Sequence, residues 1–177
     1  MKFMLTILMV AVLASGAMAQ QTLTYGWEDG IATHLGFFGN LGSAANVMDN
    51  PHTGDYSLMM MEDPLGGTPQ VYVAWIAGLL DGDMVTASFY SFDDTPDETV
   101  YPRTRIWGHY SSNDLVTNPD RTALVVEFRL YSADGAAGPY YCDDVTITAP
   151  DHALIFFPNQ DPVGSEDSSF GSVKALF

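Results

Sequence analysis

The chain is short of cysteine and of cations, and each shortage removes a class of protein. Cys142 is the lone thiol among 177 residues, so no intramolecular disulfide can hold the fold, and stability must come from a packed core, with or without bound metal. Lysine and arginine together number six against twenty-two acidic residues, for a formal net charge of −16. Nucleic acid and anionic lipid both require a basic surface, which this composition cannot supply. No Asn-x-Ser/Thr sequon occurs, which suits a bacterial exported protein. His34, His52 and His152 stand apart without zinc-ligand spacing. No stretch repeats its apolar residues at the interval of a useful amphipathic helix.

A single long apolar run is present, at the very start. Lys2 precedes Phe3 to Leu13, and Ala17-Met18-Ala19 follows. A positive end, an apolar segment too short to span a bilayer and a small-x-small site together read as a secretory signal over residues 1–19. The expected location is secreted, extracellular or at the cell surface, with no membrane insertion once the signal is removed. Loss of Lys2 makes the remainder more acidic still, and its length suits one domain with a normal core.

What fills that domain is the two-residue period of strands. Pro69 to Ala77 alternates Val71, Val73 and Trp75 against Tyr72, Ala74 and Ile76. Asp83 to Phe92 sets Val85, Ala87 and Phe89 against Met84, Thr86, Ser88 and Tyr90. Thr122 to Tyr131 sets Leu124, Val126, Phe128 and Leu130 against Val125, Glu127, Arg129 and Tyr131. Gly78, Asp81-Gly82-Asp83 and the stretch from Ala133 to Pro139 punctuate these runs as turns. The pattern predicts an all-β, antiparallel β-sandwich over residues 20–157, its last strand near 153–157. From Pro158 the composition shifts to Asn, Asp, Pro, Gly, Ser and Glu, and residues 158–177 read as a flexible tail.

Three motifs punctuate the domain: Trp27-Glu28-Asp29-Gly30, then His52-Thr53-Gly54-Asp55-Tyr56-Ser57-Leu58, and finally Tyr140-Tyr141-Cys142-Asp143-Asp144-Val145-Thr146-Ile147. With the stretch Gly67 to Tyr110, their order and separation resemble secreted bacterial jelly-roll carbohydrate-binding modules of the galactose-binding-like superfamily. The resemblance covers nearly all of residues 25–157 and implies a jelly roll that binds glycan without catalysis. It also implies one structural Ca2+ where the motifs meet, held by Glu28 and Asp143 with backbone oxygens near Gly54 and Asp55. One departure stands out. Such modules carry a longer insert with a Trp-containing strand where this chain has only Ser111 to Arg121, so either a strand is lost or a loop is shortened.

The residues themselves bear on both sites. Asp143 shares parity with Val145 and Ile147, which points it inward, and a buried carboxylate is costly unless a cation or hydrogen bonds satisfy it. The plainer alternative makes Glu28 and Asp143 surface carboxylates of an acidic protein. Calcium takes hard oxygen ligands of this kind. A second candidate is a polar face. Arg103, Arg105, Trp107 and His109 alternate onto one side of their strand, and Glu127, Arg129 and Tyr131 onto one side of the next. Aromatic rings stack on sugar faces while Arg, Glu and His bond hydroxyls. A cross-strand Arg105–Glu127 ion pair on a solvated sheet is the plainer reading there.

Catalysis finds less support. Asp93, Asp94, Asp97 and Glu98 share a polar Pro-containing loop, which offers no apolar pocket to raise a carboxyl pKa as glycoside hydrolysis requires. Ser57 lies in no nucleophile-elbow context, and Cys142 has no activating partner. The expectation is a monomeric glycan-binding module. The alternative is a structural or adhesive surface domain that meets protein through an apolar patch.

Overall fold

Valine, threonine and aromatic residues in alternation favour the pleated, half-buried surface of a sheet, and every regular element among the described residues is a strand. In the computed structural model these residues are 19–94, 108–116, 122–130 and 138–159, with the backbone alone described for 108–113. The strands are β1 (Gln20–Tyr25), β2 (Gly36–Phe38), β3 (Leu41–Val47), β4 (Ser57–Glu62), β5 (Gln70–Ala77), β6 (Met84–Asp93), β7 (Gly108–Leu115), β8 (Ala123–Arg129), β9 (Tyr140–Pro150) and β10 (Leu154–Phe156). Residues 1–18, all but the last of the expected signal 1–19, and residues 160–177 lie outside the described residues, and no helix among those described is long and apolar enough to cross a membrane.

All pairings are antiparallel, in two sheets. The larger runs β3-β4-β9-β6-β7, with β1 also on β9; in the smaller, β5 is bordered by β8 along one side and by β10 and β2 along the other. Between the sheets lies one apolar cluster that includes Trp27, Leu58, Met60, Val71, Val73, Ile76, Phe128, Leu130, Val145 and Ile147. This is the antiparallel β-sandwich that the alternation predicts. Val85 and Phe128 are buried, while Ala87, Phe89, Leu124 and Val126 pack against the cluster from the expected sides of their strands.

The alternation fails at two places, each for the same reason. The register of β5 against β8 shifts between Tyr72 and Ala74, so Val73 and Ala74 are both buried beside Val71 and Ile76. Beyond that bulge the faces exchange: Trp75 leaves the set of Val71 and Val73 and joins Tyr72 on the outer surface. On β9 the core receives Cys142 and then Val145, Ile147 and Ala149. Asp143 and Asp144 fall within that three-residue step, with Asp144 at φ +50°. Asp143 is fully buried, yet it does not share the apolar face of Val145. A loop covers it instead.

β7 is longer than the sequence suggests. It pairs with β6 without interruption from Ser91↔Gly108 to Met84↔Leu115, so much of the Ser111–Arg121 connection is strand rather than loop.

Candidate functional site

Two regions concentrate functional side chains. The first forms where β1 ends, β9 begins and the loop before β4 crosses between them. Tyr25 closes β1, and the chain turns through Trp27, whose φ of +60° is uncommon for a bulky residue. Its fully buried indole donates from Nε1 to Thr33 O at 2.7 Å, anchoring the turn. Asn46 Nδ2 adds bonds to Trp27 O at 2.8 Å and Ala32 O at 3.1 Å. Asp29 accepts from the Ile31 and Ala32 amides, each at 2.8 Å, and from the Tyr25 hydroxyl at 2.7 Å. Burial works against the charged Asp29, but those donors outweigh it and hold the carboxyl below its ordinary range, while burial and Asp29 raise Tyr25.

This turn delivers Glu28 to one side of the loop 52–56. Asp55 N donates to its Oε2 at 3.0 Å and Tyr56 N to its Oε1 at 3.2 Å. Asp143 grips the other side, accepting at Oδ2 from His52 N at 2.8 Å and Thr53 N at 3.2 Å, and at Oδ1 from Asp144 N at 2.8 Å. Four amides of this loop, those of His52, Thr53, Asp55 and Tyr56, are thus shared between the two carboxylates. Gly54 sits where a Cβ would come 2.3 Å from Glu28 Oε1, at φ +66°, so the loop closes only with glycine there. Gly26 leaves similar room beside Asp143, where a Cβ would meet Oδ1 at 3.1 Å. Next door, Asp144 receives Thr53 Oγ1 at 2.8 Å and lies 2.7 Å from His52 Nδ1, and the His52 ring stacks on Tyr90 at 3.7 Å.

The structure therefore brings the three motifs together, with Glu28 and Asp143 on opposite sides of one loop. What meets them there is amide N–H rather than carbonyl oxygen from the Gly54–Asp55 stretch. Among the described residues no three His, Cys, Asp or Glu side chains cluster for a metal. The donor chemistry nevertheless suits a hard cation. Burial pushes Asp143 up to about 6 despite its three amide donors, with Asp144 adding repulsion, so its negative charge is incompletely compensated. Cys142 beside it is raised by burial, then by Asp143 and Asp144, which leaves the thiol inert.

The second region is the outer face of the smaller sheet. Register sets its rows: Phe38, Gln70 and Arg129 in one, Gly36, Tyr72 and Glu127 in the next, then Phe156, Trp75 and Val125. A Cβ at Gly36 would lie 3.2 Å from the Tyr72 ring, so the bare glycine backbone lets that ring lie over β2. Arg129 donates from Nε to Glu127 Oε1 at 2.6 Å, with Nη2 engaging the same oxygen.

Of the residues expected on a single polar face, Glu127 and Arg129 are here, whereas His109 belongs to the other sheet, its backbone opposite Tyr90. β7 does not neighbour β8, so the expected adjacency of those strands does not hold for the described part. Arg103, Arg105, Trp107 and Tyr131 lie outside the described residues, as do Asp97 and Glu98. Sequence reasoning missed Tyr72 and Trp75 because the bulge between them inverts the alternation. Two adjacent small or branched apolar residues, Val73-Ala74, were the available sign.

No family model and no curated protein matches the chain. Among solved structures it is similar to the CBM22-2 xylan-binding domain of Paenibacillus barcinonensis Xyn10C, at 15% identity and TM-score 0.33, covering 72% of this chain and 98% of that one. It is also similar to TmCBM61, solved with β-1,4-galactotriose, at 12% identity and TM-score 0.27, covering 75% and 94%. The CBM22-1 domain of the same Paenibacillus protein follows at 12% identity and TM-score 0.21, covering 82% and 99%. At TM-scores this low, function has to be read from the residues of this chain.

Proposed function

We propose that the chain is a non-catalytic carbohydrate-binding module, and that the outer face of β5 and β8 receives the glycan. The observation that carries this reading is the β5 bulge, which sets Tyr72 and Trp75 on one face beside the Glu127–Arg129 pair. Rings supply apolar platforms for sugar faces, and the charged pair supplies oriented donors and acceptors for hydroxyls. Arg103, Arg105, Trp107 and Tyr131 join the reading through their sequence pattern. Exposed Phe38 and Leu154 on the same sheet favour a second reading, adhesion to protein through an apolar face.

A hydrolase is disfavoured on chemistry. Asp143 has the raised pKa of a general acid, but it is wholly buried, so a glycosidic bond cannot reach it.

Glu28 and Asp143 are proposed to hold a structural Ca2+, which when bound would neutralise the buried carboxylate and tie the end of β1 and the start of β9 to the loop between them. Calorimetric titration of soluble polysaccharides tests the first proposal, with Trp75→Ala and Trp107→Ala as variants. Binding lost in Trp75→Ala at unchanged melting temperature supports it; a panel with no binding polysaccharide moves the reading to adhesion. Calcium against chelator tests the second: a higher melting temperature with calcium, abolished in Glu28→Gln, is expected, and equal melting would remove the ion.

A further inference from the structure

The strand edges of this sandwich are not protected alike. β2 and β10 expose three residues each, β3 and the β5–β8 ladder carry register shifts at Leu41/Ser43 and Tyr72/Ala74, and the edge strand β7 includes the charged Asp114. Short strands, irregularities and charges of this kind blunt an edge against pairing. β1 has none of these. Its six residues pair with β9 in unbroken register from Gln20↔Pro150 to Tyr25↔Val145, and Gln-Gln-Thr-Leu-Thr-Tyr contains no charge and no proline in a chain of net charge −16.

The phase of the ladder tells which groups this edge offers. Pro150 has no N–H, so Gln20 and Pro150 cannot be a doubly bonded pair, whereas Asp151 N does donate to Ala19 O at 3.0 Å. Bonded and non-bonded pairs alternate in an antiparallel ladder. Thr22↔Thr148 and Thr24↔Thr146 are therefore non-bonded pairs, as their Oγ1–Oγ1 separations of 2.8 Å also indicate. It follows that Gln20, Thr22 and Thr24 direct their N–H and C=O groups away from β9. No hydrogen bond from the described backbone meets them.

We propose that this edge pairs with the same edge of a second copy of the chain, about a two-fold axis at Thr22. Antiparallel pairing centred there sets Thr22 against Thr22 of the second copy and Gln20 against Thr24 of the second copy. Each of these residues presents its backbone groups outward, so every pairing is doubly bonded and the contact closes as a dimer. Side chains agree with the backbone. The Thr148–Thr22 row continues across the axis as one uncharged Thr22–Thr22 contact, the Thr146–Thr24 row meets the equally uncharged Gln20, and Leu23, 39% exposed, gains cover from Gln21 of the second copy. The larger sheets of both copies become one. The proposal departs from the monomer expected from sequence, and it stands apart from glycan binding.

Sedimentation velocity on residues 20–177, the chain left after removal of the expected signal, over about 1–200 µM, the range in which micromolar association is read, tests it. A concentration-dependent monomer–dimer equilibrium is expected. Thr22→Pro removes an amide that the β9 ladder does not use, so it should abolish the dimer while leaving the melting temperature nearly unchanged. Thr24→Lys, which cannot disturb the fold through the backbone, should weaken association at least about tenfold. A chain monomeric throughout, or a dimer indifferent to both variants, overturns the proposal. A dimer that appears only when the chain ends at Asn159 would assign the edge to residues 160–177 instead, and overturns it equally.

Discussion

Asp143 is a buried carboxylate whose charged form burial opposes. Burial lifts it to about 6, whereas an unfolded aspartate titrates near about 4. Between those values the folded chain retains a proton that the unfolded chain has released. The stability this group contributes is therefore complete below about pH 4 and is lost as pH rises through about 6. In chelator, melting curves of the parent chain against Asp143→Asn should show the parent losing more stability across that window. Identical pH profiles would mean that burial does not oppose the charged carboxyl. A neighbouring residue tests the geometry of the same loop. Gly54→Ala forces a Cβ against Glu28 at a positive φ, and should cost about 1–3 kcal/mol of stability in urea unfolding; a neutral substitution would show that Glu28 does not hold the loop as described.

At the scale of elements, two bulges decide what each strand presents. Much of the fold was legible in the sequence because β6 and β8 keep strict alternation: Val85, Ala87 and Phe89, like Leu124, Val126, Phe128 and Leu130, face where period two puts them. Asp143 is buried as expected, but its strand face, like that of Trp75, was misread because a bulge depends on how two strands register, not on either strand alone. The convergence of Glu28, the 52–56 loop and Asp143 was legible through motif resemblance. The use of amide N–H groups to satisfy both carboxylates was not, since backbone direction in a loop leaves no mark on residue type beyond glycines such as Gly54. The β2–β5 contact is a further element-scale test. Gly36→Ala puts a methyl group 3.2 Å from the Tyr72 ring and should weaken glycan binding severalfold, with stability changed by no more than about 0.5 kcal/mol. Unchanged affinity would remove Tyr72 from the site.

The whole molecule separates its support from its proposed binding face. At the end of the sandwich opposite the 52–56 loop, Asp83 is buried at 3% exposure; it accepts from Leu80 N at 2.7 Å and lies 2.9 Å from His152 Nε2. That contact joins the β5–β6 turn to the β9–β10 turn. Removing a buried, hydrogen-bonded charge strands its donors, at a cost of roughly 1–3 kcal/mol or more. Asp83→Ala should lower the melting temperature and leave glycan affinity intact; Trp75→Ala should do the reverse. Variants that shift both properties together would argue that the outer face of β5 and β8 is scaffold.

The most direct measurement is isothermal titration of a panel of soluble polysaccharides into the parent chain and Trp75→Ala, both verified as folded. A polysaccharide that binds the parent and loses at least about tenfold in affinity, about 1.4 kcal/mol, on removal of the indole is the expected result. Equal affinity in the two proteins, or no binding across the panel, would contradict the assignment of the β5–β8 face as a glycan site.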